Sequence, residues 1–162
     1  MKFNDEKITA VYPGSFDPIT LGHIDILKDG AKMFDKVIIA VADNPDKKNM
    51  LSVKERMQLI KECIKDMANV EVDSFSGLTV EYAKSKSADI ILRGLRTSID
   101  FEYEKELAQN NRILAPDIKT VFLMTNPQHS YISSSAVREI LNNKGDISEY
   151  VPQEILNRLT ER

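Results

Sequence analysis

Short apolar runs alternate along this chain with longer segments of helical period, and no other feature constrains its fold as strongly. Several of the short runs are apolar on both faces, as strands of a parallel sheet covered by helices must be. These runs lie at 8–12, 37–42, 69–72, 89–92 and 119–124. The helical segments lie at 22–34, 53–67, 78–86, 98–114, 134–143 and 152–161. Strand alternating with helix predicts parallel βαβ units with right-handed crossovers.

The predicted architecture is α/β: a single doubly wound, Rossmann-like domain over residues 1–162, with a five-stranded parallel sheet, helices on both faces and C-terminal helices. No internal repeat, low-complexity tract or linker divides the sequence. Ser52 and Glu55 form a candidate capping box, and Pro152 suits a first helical position. Ligands of such sheets bind beyond the carboxyl ends of the strands, where the strand order reverses. Polar residues that follow strands are therefore the candidates for a site.

The composition limits the class of protein. A formal net charge of −3 is unlike that of a general nucleic-acid-binding protein, which usually carries a basic surplus. No apolar stretch approaches the length that spans a bilayer, and residues 1–11 lack the apolar core of a signal peptide. The one cysteine, Cys63, lies in a helical apolar pattern that favours burial over catalysis, and it suits a reducing compartment. We therefore predict a soluble, cytoplasmic protein with no nucleic-acid or membrane partner.

The stretch YPGSFDPITLGH, residues 12–23, follows the first predicted strand. Its prolines fix φ and remove backbone donors, and Gly14 allows close backbone approach. His23 falls near the start of the next helix, where backbone N–H groups and the helix dipole favour an anion. One interpretation is a phosphate site with an imidazole beside it. The other is a turn that leads into a helix capped by His23.

Basic residues follow two further strands. Lys47 lies in the loop 43–49, which is either a solvated turn or the place of a phosphate contact by a flexible ammonium. The run Arg93-Gly94-Leu95-Arg96 ends the fourth strand, and arginine forks match phosphate oxygens in a bidentate manner. The alternative for these arginines is an ion pair with Asp100 or Glu102. Two arginines around a glycine are an unusual way to finish a strand, which favours function.

The run Ser133-Ser134-Ser135 opens a helix after the last strand, with Arg138 one turn further on. An N-cap explains one serine, whereas three serines beside free backbone N–H groups form a neutral cradle for a di- or triphosphate. The acidic helix over 98–112 has mostly solvated carboxylates, of which one can reach a ribose or a nucleobase. No G-x-G-x-x-G, P-loop or G-x-S-x-G motif is present, and two histidines with one cysteine argue against zinc.

Taken together, YPGSFDPITLGH, RGLR and ISSSAVR resemble the nucleotidyltransferase superfamily with T/H-x-G-H and I-S-S-[ST]-x-x-[RK] signatures. The closer resemblance is to the phosphopantetheine adenylyltransferase family. It runs from Ile8 into the C-terminal helices and includes NPDKK, FSGL and RGLRTSIDFEYE. Each motif is weak to moderate by itself, and their joint order and spacing carry the resemblance.

The resemblance implies adenylyl transfer from ATP to 4′-phosphopantetheine, which gives dephospho-coenzyme A and pyrophosphate in coenzyme A synthesis. It also implies Mg2+ as cofactor and a homohexamer. The residues suit such a reaction, because a phosphate acceptor with a second pKa near 6 is largely ionised at neutral pH and needs no strong base. The enzyme then supplies positioning and charge stabilisation for in-line attack on the α-phosphorus.

The resemblance also implies residue roles. His23 matches a transition-state stabiliser, Lys47 and Arg93 match the pair that holds the acceptor phosphate, and Ser15 and Thr79 match further substrate-binding positions. The positions matched to ATP binding are Ser15, Phe16, His23, Gly94, Leu95, Arg96, Glu104, His129, Ser130, Tyr131, Ile132, Ser133, Ser134 and Ser135. Ser15 stands where the family often has threonine, and Thr79 and His129 stand where it often has larger or different side chains. Protein ligands of Mg2+ are not evident.

Two other functions are weighed against this one. A second nucleotidyltransferase of the superfamily would use another acceptor, such as nicotinamide mononucleotide or glycerol phosphate, and the run RGLRTSIDFEYE favours the pantetheine enzyme over it. A non-catalytic nucleotide sensor on the same fold is the other, because a fold does not fix a function. The presence of His23, Lys47 and Arg93 argues against the sensor.

Overall fold

The fold is described from a computed structural model that covers residues 7–161. Residues 1–6 and residue 162 lie outside the described residues. Part of the segment 1–11, for which the sequence predicted no signal peptide, is therefore not described. The strands are β1 (Thr9–Gly14), β2 (Lys36–Ala42), β3 (Val70–Phe75), β4 (Ile90–Leu95) and β5 (Lys119–Met124). The α-helices are α1 (Leu21–Met33), α2 (Val53–Cys63), α3 (Thr79–Ser85), α4 (Ser98–Leu114), α5 (Ser134–Asn142) and α6 (Gln153–Thr160), and a 3-10 turn covers Pro127–His129.

The five strands form one parallel sheet in the order β3-β2-β1-β4-β5. The order reverses between β1 and β4, which is the switch point at which doubly wound sheets bind ligands. β1 pairs with β2 from Thr9 to Gly14 but with β4 only at Ala10 and Val11. The carboxyl ends of β1 and β4 therefore separate and leave a crevice between them.

Apolar side chains cover both faces of the sheet. Tyr12, Ile39 and Leu92 belong to one core cluster, which includes residues of α1, α2, α5 and α6. Val11 and Ile38, one position away on the same strands, belong to the other cluster with residues of α3. Since successive strand side chains point to opposite faces, this division confirms the predicted α/β fold with helices on both faces. In the part of the chain that the structure describes, no helix is long and apolar enough to cross a membrane.

The element boundaries differ from the sequence prediction at identifiable points. β1 and β4 continue past their apolar runs to Gly14 and Leu95, because ladder hydrogen bonds join backbone groups whatever the side chains are. α2 ends at Cys63, where residue 64 leaves helical geometry, and not at residue 67. The predicted capping box of Ser52 is confirmed, with the hydroxyl accepting from the residue 55 N–H. Pro152 is the N-cap of α6 and not its first helical residue, since its backbone is extended.

Candidate active site

A cavity of about 320 Å3 opens at the carboxyl ends of β1 and β4. Twelve of the residues predicted for a site line it: Ser15, Phe16, His23, Lys47, Arg93, Gly94, Arg96, Glu104, Ile132, Ser133, Ser134 and Ser135. They come from the loop after β1, the start of α1, the loop after β2, the end of β4, α4, and the start of α5. The switch-point crevice therefore gathers the separate motifs of the sequence in one place.

Five predicted site residues lie outside the cavity lining. Leu95 is buried at the end of β4, and Thr79 is the first residue of α3. His129 ends the 3-10 turn, where its Nδ1 lies 2.6 Å from an Asp25 carboxylate oxygen. Ser130 donates to the Pro127 carbonyl, and Tyr131 is exposed beside Tyr150. Their contacts with ligand stay predictions.

His23 lies in the first turn of α1, where it completes a capping box with Thr20. The Thr20 N–H donates to His23 Nδ1 at 3.1 Å, and the ring of Phe16 packs edge-on at 5.0 Å between centroids. Burial, and then the charges of Arg96 and Arg93, lower the pKa of His23 to about 4. The imidazole is thus neutral at pH 7, and because Nδ1 accepts a hydrogen bond, Nε2 carries the proton. Capping and a ligand-binding role, which the sequence left as alternatives, are compatible in this side chain.

The backbone after β1 is held in an unusual conformation. Phe16 has a φ of 48°, in the left-handed region that non-glycine residues rarely adopt. Its ring turns back under Gly14, where a β-carbon would lie 2.9 Å from Phe16 Cζ. Glycine at 14 is therefore required for this close approach. The bend brings the Phe16 ring against both Tyr12 and His23.

Arg93 bridges the crevice between the two separated strands. Its Nε and Nη2 donate to the two carboxylate oxygens of Glu104 at 2.7 and 2.6 Å, and its Nη1 donates to the Pro13 carbonyl at 2.8 Å. Burial alone would lower the pKa of Arg93, but the hydrogen bonds and charge of Glu104 outweigh it and raise that pKa. The partner is Glu104 and neither Asp100 nor Glu102, because Glu104 lies on the face of α4 that turns toward β4. Three bonds leave two of the five guanidinium N–H groups for a ligand.

Arg96 joins the end of β4 to the segment before α5. Its Nε donates to Asp100 at 3.2 Å and its Nη1 donates to the Ile132 carbonyl at 2.9 Å. Asp100 is thus the partner of one arginine, as the sequence allowed. The contact with Ile132 places the serine run against the same cavity as Arg96.

The three serines have different hydrogen bonds. Ser133 is the N-cap of α5, with its hydroxyl accepting from the Ala136 N–H at 3.1 Å. Ser134 donates to the Pro18 carbonyl at 2.8 Å, and Ser135 accepts from Arg138 at 3.1 Å. Ser134 therefore joins α5 to the loop after β1, and the N-terminus of α5 opens into the cavity, where it favours an anion.

Lys47 reaches the cavity from the loop after β2. Its Nζ donates to Ser15 Oγ at 3.1 Å, and residues 44–48 of that loop are exposed. Lys47 is exposed, whereas the arginines that line the cavity are only partly exposed. A lysine and a hydroxyl placed together in this way suit a phosphate that arrives from solvent.

The structure adds cavity residues for which no role was predicted, among them Tyr12 and Thr20, and it places Arg138, which was named with the serine run, in the same lining. Thr20 fixes the His23 ring, and Arg138 donates to the Asp17 carbonyl at 2.7 Å. The N-cap pattern around Thr20 was a signal in the sequence for the role of that residue. Tyr12 gave no signal, since an aromatic residue in a strand is typical of a core.

The cytidylyltransferase-like family matches residues 11–140 of this chain. A phosphopantetheine adenylyltransferase of Alkaliphilus metalliredigens is 51% identical to it over 94% of this chain and 98% of the relative. One of Caldanaerobacter subterraneus is 54% identical over 94% of this chain and 96% of the relative.

Two solved structures are similar in fold. A bifunctional NMN adenylyltransferase/ADP ribose pyrophosphatase of Francisella tularensis has a TM-score of 0.75 at 16% identity, and the match covers 96% of this chain and 49% of that one. A lipopolysaccharide core biosynthesis protein of Thermoplasma volcanium has a TM-score of 0.56 at 26% identity, over 75% and 99% of the two chains. The fold agrees with the family match. Relatives that are about 50% identical along nearly the whole chain point the same way, so the chain belongs to the phosphopantetheine adenylyltransferase family.

Proposed function

We propose that this protein transfers the adenylyl group of ATP to the phosphate of 4′-phosphopantetheine, which forms dephospho-coenzyme A and pyrophosphate in coenzyme A biosynthesis. The observation that carries the proposal is the single cavity at the strand switch point, which is lined by His23, Lys47, Arg93 and the serine-rich start of α5. These groups are cationic or neutral donors. They suit a reaction in which both substrates bring phosphate charge.

The proposed chemistry is one in-line displacement. An oxygen of the acceptor phosphate forms a bond to the α-phosphorus of ATP. The bond from that phosphorus to the oxygen bridging to the β-phosphate breaks, and pyrophosphate leaves with the bonding electrons. The acceptor phosphate is already ionised at neutral pH, so catalysis rests on positioning and on stabilising the charge of the transition state.

His23 is proposed to donate from Nε2 to the oxygens of the α-phosphate. The ring is neutral and held by Thr20, so this donor is in place before charge develops and needs no reorganisation. A half-buried donor such as His23 also interacts more strongly with a developing negative charge than a fully exposed one does. His23 is thus the proposed catalytic residue for the transition state.

Lys47, Ser15 and Arg93 are proposed to hold the acceptor phosphate, with Thr79 near the pantetheine arm. The free N–H groups of Arg93 are held in position by Glu104. The ATP phosphates are proposed to lie at the start of α5, where backbone N–H groups and serines face the cavity. The other predicted ATP contacts, at 94–96, 104 and 129–132, are proposed to complete the nucleotide subsite.

Mg2+ is proposed as the cofactor, and the donor set limits how it is held. The described residues hold no group of three or more histidine, cysteine or carboxylate side chains that would form a metal site. Asp100 and Glu104 line the cavity, and each is already paired with an arginine. Magnesium often keeps several waters and leans on substrate phosphates. We therefore propose that it enters with ATP, and the residue roles above do not depend on it.

A homohexamer and a cytoplasmic location are proposed as well. α4 exposes large apolar side chains at Ile99, Tyr103 and Ile113, which are 81, 63 and 78% accessible. A helix face of this kind is typical of a contact between subunits. Sedimentation velocity tests the assembly, where a monomer at micromolar concentration would contradict it. The single cysteine supports the location.

The experiment that tests the function measures pyrophosphate release from ATP and Mg2+. The acceptor is 4′-phosphopantetheine, and the controls are nicotinamide mononucleotide and pantetheine without its phosphate. Release with 4′-phosphopantetheine and with neither control supports the proposal, because among the three only that acceptor carries both a phosphate and the pantetheine arm. A folded protein that binds ATP and releases no pyrophosphate with this acceptor would contradict it.

A further inference from the structure

Two charged side chains are buried beside the cavity and have no role in the mechanism above. Arg56, on α2, is 1% exposed, and Asp17, in the loop after β1, is 2% exposed. Neither lines the cavity. Charged residues are almost never fully buried unless they are paired or hydrogen-bonded, because dehydration penalises them strongly. Their partners therefore indicate what they do.

Arg56 donates to three backbone carbonyls from three segments. Its Nη1 donates to Ser15 O at 2.6 Å and to Ala42 O at 3.1 Å, and its Nε donates to Leu51 O at 3.2 Å. Ser15 belongs to the loop after β1 and Ala42 ends β2. Leu51 lies near the end of the Lys47 loop, which we define as residues 43–52. One guanidinium thus joins both ends of the Lys47 loop to Ser15.

Asp17 also bonds to the Lys47 loop, near the end that Arg56 contacts through Leu51. Its two carboxylate oxygens accept from the N–H groups of Met50 and Leu51, at 2.7 and 2.9 Å. Its carbonyl accepts from Arg138. Burial lowers the pKa of Arg56, and the charges of Asp17 and Asp43 counteract that effect. The arginine and the aspartate therefore offset each other's charge while each bonds to backbone.

The Lys47 loop depends on these anchors. Residues 44–48 are exposed, so the middle of the loop has little packing of its own. Lys47 reaches Ser15 from that middle part. Where Lys47 Nζ stands relative to Ser15 Oγ is thus set by the fixed ends of the loop, and both ends and Ser15 itself are bonded to Arg56.

We propose that Arg56 and Asp17 are positioning residues for the acceptor phosphate, which act through Ser15 and the Lys47 loop without touching substrate. This inference rests on the proposed function. It predicts a larger defect for the acceptor than for ATP, because Lys47 is predicted for the acceptor alone, whereas most predicted ATP contacts lie at 94–96, 104 and 129–135, outside the segments that Arg56 and Asp17 hold.

The test compares the variants R56K and D17N with the unchanged protein in the pyrophosphate-release assay. R56K keeps the charge but loses the planar fork that reaches three carbonyls. D17N keeps the volume and loses one of two acceptor oxygens. In each variant we expect the KM for phosphopantetheine to rise about tenfold, as for the loss of one well-made hydrogen bond to a charged group. In the same assay, the KM for ATP should change by less than about twofold.

Two matched controls separate this role from general damage. R158K makes the same exchange on α6, at a half-exposed arginine away from the cavity, and K48A removes an exposed cation from the Lys47 loop itself. Both controls should keep both KM values. R56K is also combined with K47A. The effect of R56K on acceptor KM should shrink in that background, because part of it passes through Lys47.

Each outcome decides the inference. Equal rises of both KM values, an unchanged acceptor KM in a folded variant, or full additivity with K47A would overturn it. A loss of folding in both R56K and D17N would overturn it too, since the pair would then determine the fold and not the loop. Absence of turnover in the unchanged protein contradicts the proposed function itself, which distinguishes that failure from this one.

Discussion

His23 and Lys47 line the same cavity, and the protein holds them in opposite ways. His23 is half-buried and is fixed by Thr20 and by the ring of Phe16. Lys47 stands on an exposed loop and contacts Ser15. A group that meets transition-state charge gains from being fixed and partly buried, whereas a group that receives a substrate must be reachable from solvent. The difference indicates which residue serves the chemical step and which serves acceptor binding.

Replacing His23 with alanine tests the fixed side and has the largest expected effect. We expect kcat to fall by about 10²–10³-fold, as for removal of one preorganised donor to a transition-state oxyanion. The KM values for both substrates should change little. H129A is the comparison for kcat, since His129 is the other histidine, lies outside the cavity lining, and has a predicted role in ATP binding that the KM for ATP reports. A kcat loss in H129A as large as that in H23A would contradict the comparison.

Replacing Lys47 with alanine tests the accessible side. We expect the KM for phosphopantetheine to rise by about 10–150-fold, because a charge-assisted hydrogen bond contributes roughly 1.5–3 kcal/mol. The turnover number at saturating acceptor should fall much less. Steady-state kinetics with K48A as the control would check this. If kcat of K47A falls as far as that of H23A, the distinction between His23 in the chemical step and Lys47 in acceptor binding is contradicted.

Replacing Glu104 with glutamine tests the support behind Arg93. Glutamine offers one acceptor oxygen instead of two, so one of the two bonds from the guanidinium is lost. The Arg93 and Glu104 side chains are 27 and 10% exposed, so the expected loss is about 1–2 kcal/mol in the free energy of unfolding, below that of a fully buried pair. Urea denaturation measures it. An unchanged midpoint would show that the pair adds no stability.

The pH dependence of the free energy of unfolding tests the low pKa of His23 and has the smallest expected effect. The folded-state pKa, about 4, lies below the unfolded value of 6.5, so the unfolded chain binds an additional proton between these values. The free energy of unfolding should therefore fall as the pH is lowered from 6.5 to 4. The H23Q variant should lose less over the same interval. Parallel curves from urea titrations of the two proteins would contradict the low pKa.

The fold and the family were readable from sequence. The alternation of patterns predicted the parallel sheet, and the motifs after the strands predicted where the cavity lies. The start of a helix could also be predicted from neighbouring residues, as the capping box of Ser52 and Glu55 at the start of α2 shows. Both kinds of signal depend on residues close together in the chain, whose period and capping groups are visible in a printed sequence.

Tertiary packing decided the partners within the site. Arg93 pairs with Glu104 and not with Asp100 or Glu102, the two carboxylates that the sequence offered as its partners. Arg56 reads in sequence as an ordinary polar helix residue, yet it lies buried among three backbone segments. Sequence determined the elements and the end of the sheet that carries the site. Which side chains meet there depends on how distant segments pack, and a local pattern does not contain that information.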